Sequence, residues 1–343
     1  MIGTKGITRR LQLRDLTDLP AGQVTQFEMV RGVQHAGVLM RVRADVTITL
    51  GAASGTIRNQ GSVLAFISRI RISENGDVST DIDPRVLATF AASRSPKVVT
   101  QRVVMANGGI QANTILEEML FLPFADPLLG NSFETNFIER NSNVPLLLEI
   151  QTVPVYYTAF QNGGDRTFVM NSLTVEVGQM IDRRSNVLPL FIPRFRQLST
   201  ESITGAVTQR EIALNTKGFM GTIIVQQIGN GLYDATDIIT AIELKGERVK
   251  FWEGQFTPDF LRQQHEFQFG GAIPAGYTVF NLVTGGRLGG VHNPLEDPDI
   301  HLVVNATTSA AFVTSSEIRI WGQEFNQDPG VTRQLPSALR AAK

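Results

Sequence analysis

The residues able to do chemistry are few, and their spacing does not suit it. The chain has four histidines, His35, His265, His292 and His301, and no two lie two positions apart. A metal-binding β-barrel enzyme would place a close His-x-His pair ahead of a carboxylate and a further histidine. The four therefore read as polar or partly buried loop residues, and no metal site is expected. Glu296, Asp297 and Asp299 offer the oxygen ligands that calcium takes, but Pro294 and Pro298 mark a stiff, solvated loop there. Glu117 and Glu118 are adjacent on a stretch (113–125) that reads as a short helix. Neighbours on a helix point to different sides, so joint acid–base work is not expected. The absence of cysteine removes disulfides, thiolate zinc sites and cysteine nucleophiles. The glycines of GGRLGG (285–290) lack the following helix and the Lys-Ser/Thr of a phosphate cradle. Trp252 and Trp321 fall in strand patterns and read as core or interface anchors. The reading is a chain with no catalytic residues, no metal and no cofactor.

Charge points elsewhere. The 343 residues include 42% apolar and 18% charged types, with a formal net charge of −1. That is below the usual ~25% charged and suggests surface buried against other subunits. Near-neutrality argues against a surface that grips nucleic acid throughout. The cations that do cluster are Lys5, Arg9, Arg10 and Arg14, alternating with Ile7, Leu11, Leu13, Leu16 and Leu19 before Pro20. Residues 1–20 read as a separate N-terminal arm. It is either a disordered or strand-exchanged terminus, or a segment that touches anionic lipid or genome. Its deletion is expected to leave the folded cores intact.

The elements around these residues are strands. In GVLMRVRADVTITL (37–50), Val38, Met40, Val42, Ala44, Val46, Ile48 and Leu50 alternate with polar positions. Period two over this length predicts one long strand with a single buried face. AFISRIRI, the turn ENGD and VSTDID predict a hairpin, with Asn75-Gly76 supplying the turn. Asp83-Pro84 then caps and opens a helix. PLLLEIQTVPVYY and FVMNSLTVEVGQM predict two further strands. Pro189 and Pro193 interrupt residues 181–200, which read as an interdomain connector rather than a central strand. Beyond it, GFMGTIIVQQIGNG predicts a strand and ITAIELKGERVKFWEGQF a second hairpin. Thr257-Pro258 opens a second capped helix, FVTSSEIRIWGQEF closes the pattern, and residues 326–343 read as a polar tail.

The two halves repeat. A hairpin leads to a cap-plus-proline helix in each, with 14 residues from Ile70 to Pro84 and 16 from Ile242 to Pro258. Phe168-Val169, Ser172 and Gly178-Gln179 recur as Phe312-Val313, Ser316 and Gly322-Gln323 at an offset of 144. The apolar residues of the two closing strands do not share parity under that offset, Val175 and Val177 against Ile318 and Ile320. Either one copy carries a bulge or part of the identity is chance. The fold class expected is all-β, with two tandem jelly-roll β-sandwiches and short helices in loops. The expected boundaries are an arm at 1–20, a first roll at 21–180, a connector at 181–200, a second roll at 201–325 and a tail at 326–343.

RIRISENGDVSTDIDP, AIELKGERVKFWEGQFTP and the paired Phe-Val…Gly-Gln strand ends resemble the double jelly-roll major capsid proteins of tailless icosahedral viruses, particularly bacteriophages with an internal membrane. The likeness spans residues 30–325 as an architecture. It implies homotrimers of pseudo-hexagonal outline that tile an icosahedral shell in the virion, assembled in the host cytoplasm. The implied partners are further copies of the chain in neighbouring capsomers and minor capsid or vertex proteins. The termini, with Lys5, Arg9, Arg10 and Arg14, would face an internal lipid membrane or the genome. Two other readings stand beside it: a minor capsid or vertex β protein, and a carbohydrate-binding or carbohydrate-active β-sandwich.

Overall fold

A computed structural model describes residues 10–13, 17–30, 34–49, 56–57, 62–74, 76–94, 114–124, 145–156, 161–162, 167–182, 191–229, 237–246, 254–282, 299–307 and 316–327. The first half runs β1 (Arg10–Leu13), β2 (Thr17–Asp18), β3 (Val24–Glu28), β4 (Gln34–Thr49), β5 (Thr56–Ile57), a 3-10 turn (Val63–Phe66), β6 (Ile67–Glu74), β7 (Asp77–Ile82), α1 (Pro84–Arg94), β8 (Thr114–Pro123), β9 (Leu146–Thr152), β10 (Gln161–Asn162) and β11 (Thr167–Asp182). The second half runs β12 (Phe191–Ile203), β13 (Val207–Ala213), β14 (Phe219–Gly229), β15 (Ile239–Lys245), α2 (Pro258–Phe269), β16 (Tyr277–Asn281), β17 (His301–Ala306) and β18 (Ser316–Gln327).

Alternation does what the sequence requires of it. In β4, Val38, Met40, Val42, Ala44 and Val46 are all sealed from solvent, and the strand pairs antiparallel with β8 on one side and β11 on the other. The β6–β7 hairpin turns at Gly76, whose φ of 80° only glycine adopts freely. Asp83 Oδ1 accepts the Arg85 amide at 2.9 Å, so the cap before α1 is real. Thr257 caps α2 in the same way, through the Phe260 amide.

Numbering the strands of each half by their place in the chain exposes one plan. Setting the short β5–β10 pair aside, the first half pairs its first, eighth, third and sixth strands as β1/β2-β11-β4-β8, and its second, seventh, fourth and fifth as β3-β9-β6-β7. The second half repeats the first set as β12-β18-β14-β16 and the second as β13-β17-β15. Its fifth position is seen where Phe256 exchanges two backbone bonds with Ile242. The remainder of that expected hairpin, residues 247–253, lies outside the described residues. Two sheets wound in this order form a jelly roll, so the chain is all-β with two of them in tandem.

This plan corrects three expectations. The arm is not separate: β1 and β2 both pair with β11 as the first strand of the first roll, and Leu19 is buried behind them. Deleting residues 1–19 would therefore remove a sheet strand. The connector is not one either. Phe191–Ile203 pairs along its length with β18 and occupies in the second roll the place that β1 and β2 occupy in the first. Pro193 is tolerated because β12 meets its other neighbour, β7, only at Phe195 opposite Thr80, so little ladder is lost there. Finally, 114–123 is a strand, not a helix. Leu116, Leu120 and Leu122 alternate inward, and the buried Glu118 fills the one inward position whose residue type hides the period.

The repeat is one of strands rather than of residues. β11 and β18 are equivalent by topology, but Gln179 lies on the face of Val175 and Val177, whereas Gln323 lies opposite the face of Ile318 and Ile320. The shared Gly-Gln pairs thus sit on different faces, as the parity conflict indicated.

The rolls are joined through a sheet and a pair of helices. The β7–β12 contact merges the second sheet of the first roll with the first sheet of the second into eight strands. The end of α1 packs against α2 and the turn behind it so tightly that a Cβ on Gly271 would lie 1.8 Å from the Ala92 carbonyl oxygen. Gly271→Ala is expected to lower stability by about 1–3 kcal/mol through overpacking, measured by denaturant unfolding. A neutral result would mean that the helices part at little cost.

Candidate assembly site

The described surface concentrates its chemistry at the junction between rolls and at two places that the junction's own geometry singles out. At the junction, α1 of the first roll lies on the outer face of the β12-β18-β14-β16 sheet. Phe90 meets Phe195 edge-on at 4.9 Å between centroids, and Val86, Leu87 and Phe90 share one apolar cluster with Phe195, Ile224, Val279 and Trp321. Inside this apolar contact sits a polar group of atoms. Asp83, 2% exposed, holds Arg85 through Nε at 3.0 Å and Nη2 at 2.6 Å. Gln226 Nε2 donates to Asp83 Oδ2 and to the Tyr277 hydroxyl, both at 3.3 Å, while Gln226 Oε1 accepts Trp321 Nε1–H at 2.9 Å. The network crosses from one roll to the other, so it fixes their relative position as well as satisfying buried atoms.

The equivalent parts of the other two surfaces are open. On α2, Phe260 is 53% exposed and Phe267 92% exposed. They stand seven residues apart, on one side of the helix. On the outer face of the first roll's β8-β4-β11 sheet, Ile115 and Val169 are 43% and 48% exposed. Below them on the same face Arg41 reaches Glu117 at 2.7 Å and Glu176 at 3.4 Å across three strands. Glu117 and Glu118 thus point to opposite faces of the sheet. Glu118 faces the core, where Ser62 Oγ donates to it at 2.8 Å, and burial pushes its carboxyl up to about 7.

The residues singled out from sequence are dispersed. His35 is buried, bonded through Nε2 to the Val30 carbonyl at 2.9 Å, and burial lowers its pKa. His265 sits in the helix pair with Nε2 3.0 Å from the Ser93 carbonyl. His301 is half-buried with Nδ1 3.0 Å from the Asp299 carbonyl. These three are not brought together, and no group of metal-binding side chains occurs among the described residues. Arg10 begins β1 opposite Ile181. Lys5, Arg9 and Arg14 lie outside the described residues, as do His292, Trp252, Glu296, Asp297, the 285–290 glycines and the tail beyond Gln327. Sequence reasoning passed over Asp83, Arg85 and Gln226 as a unit. Two signals were present: an arginine in the first turn of a helix, against the dipole, and a Gln-Gln pair inside the apolar run IIVQQI.

The arrangement defines a double jelly-roll protein, and solved structures of that architecture match it along nearly its whole length. A chain of Sulfolobus Turreted Icosahedral Virus is similar at 12% identity, covering 98% of this chain and 95% of that one, with a TM-score of 0.68. The major capsid protein of bacteriophage PM2 matches at 12% identity over 94% and 99% of the two chains, with a TM-score of 0.57. A chain of the PBCV-1 virus capsid matches at 10% identity over 95% of each, with a TM-score of 0.61. At such identities the likeness is one of fold. No protein-family model and no curated protein sequence matches the chain.

Proposed function

We propose that this chain is a viral major capsid protein that self-assembles as pseudo-hexagonal trimers into an icosahedral shell. One observation carries the reading: two rolls of identical strand order are fixed side by side within one chain. Three copies then present six similar rolls, which is the unit a near-hexagonal tile needs. The fold shared end to end with the PM2 major capsid protein supports it. On this reading the chain is structural, not an enzyme. It resides in the virion after assembly in the host cytoplasm and meets neighbouring capsomers and minor vertex proteins. Lys5, Arg9, Arg10 and Arg14 belong to the end of the chain that would touch an internal membrane or the genome.

The function is assembly, driven by burial of apolar surface large enough to exceed the entropy of association. The low charge content predicts an interface that does not depend on ion pairs. Native mass measurement is expected to give a trimer that persists at ~1 M salt, where charges are screened within ~3 Å. A monomer that binds glycans would overturn the proposal in favour of a carbohydrate-binding sandwich.

A further inference from the structure

The contact between the two rolls of one chain is a template for the contact between chains. We infer that α2 of one copy docks on the outer face of the β8-β4-β11 sheet of a second copy, by the same head-to-tail step that seats α1 on the second roll. The inference rests on the trimer reading above and names its interface.

The two helices are equivalent, since α1 follows the fifth strand of its roll, α2 follows Phe256, which holds the fifth position in the second, and each opens with a capped proline. Aligning Pro84 with Pro258 places Val86 against Phe260 and Ser93 against Phe267. In α1 these positions are sealed, both at 0% exposure. In α2 the same positions carry phenylalanines, of which Phe267 stands in solvent and Phe260 is half exposed, one face of its ring stacked on Phe256. The receiving faces correspond as well. Tyr277 opens β16 beneath α1, and near the start of β8, the matching strand of the first roll, Ile115 is exposed. Val169 adds a second exposed apolar side chain from β11, across Asp45 and Thr47 of β4. The match is one of apolar surface rather than of charge, for Asp45 stands in register with Ile115 on the receiving face and Asp259 on α2 is already held by Arg262.

A head-to-tail contact of this kind uses two different patches on each copy, so it forms a ring when the rotation closes. Six similar steps, three within chains and three between them, close around three copies. Phe260 and Phe267 are then the apolar anchors of the helix, and Ile115 and Val169 line the face that receives them.

The chain contains no cysteine, so cross-links can be placed on a clean background. A Phe260→Cys/Ile115→Cys variant treated with a flexible bis-maleimide should yield covalent dimers and closed trimers on a denaturing gel. Either single cysteine should yield neither ladder, since the two patches differ. Separately, a Phe260→Asp/Phe267→Asp variant should keep the wild-type circular dichroism spectrum while its native mass falls threefold to the monomer. Phe267 is almost wholly exposed, whereas Phe260 is half exposed and stacks on Phe256 at 5.8 Å, so the single Phe267→Asp variant, which should shift the native mass toward the monomer with an unchanged spectrum, controls for any loss of folding in the pair. If the wild type is a trimer but the aspartate variant remains one and the paired cysteines give no ladder, this interface is wrong and the trimer reading stands. A monomeric wild type would remove both.

Discussion

Replacing Asp83 with alanine is expected to destabilise the chain by about 3–5 kcal/mol, because it leaves the Arg85 guanidinium buried without its carboxylate. Both members of the pair are almost wholly enclosed, at 2% and 7% exposure. The same carboxylate caps α1 and accepts Gln226 from the other roll. A single substitution therefore removes a cap, an ion pair and an inter-roll hydrogen bond. Denaturant unfolding of the wild type, Asp83→Ala and Asp83→Ala/Arg85→Met provides the check. The double variant should recover a large part of the loss, since no unpaired charge remains and methionine fills apolar space. If Asp83→Ala cost less than about 1 kcal/mol, the pair would not hold the rolls in register.

Glu118→Gln should raise stability at alkaline pH and change little in acid. Burial pushes the folded carboxyl up from its ordinary value of 4.5 to about 7, so the folded state favours the protonated form. For an acid with a raised folded pKa, the stabilising contribution is complete below pH 4.5. It declines as pH rises through 7, where the ionised form must be buried. The full difference corresponds to about 3 kcal/mol. Across a chain of this length that is about 4 °C in Tm. Glutamine keeps an oxygen that can accept the Ser62 hydroxyl and carries no charge. Thermal melts at pH 5 and pH 8 should therefore converge at the lower pH and separate at the higher. Equal melts at pH 8 would show that water reaches Glu118.

Much of the fold was legible along the chain because local physics sets it. The alternation of Val38 through Val46 could only be a strand with one buried face, and Asp83-Pro84 and Thr257-Pro258 could be read as helix starts from capping chemistry alone. The Asn75-Gly76 turn and the repeated hairpin-to-helix order led to two jelly rolls for the same reason. Each is decided within a few residues. The misread segments are those where long-range pairing overrides the local signal. Arg10–Leu13 and Phe191–Ile203 looked like an arm and a connector, because neither a cationic alternation nor a proline-bearing run specifies a strand until β11 and β18 stand beside it. Glu118 concealed β8 because a carboxylate at an inward position breaks the apolar period that identifies a face. The junction was wholly tertiary. Asp83, Arg85, Gln226, Trp321 and Tyr277 are spread across both halves, and Phe260 and Phe267 look like ordinary core residues in a capped amphipathic helix. Composition fixes how much apolar surface there is to bury. Which phenylalanines remain in solvent depends on how two rolls pack, and that is settled only when strands far apart in the chain are brought together.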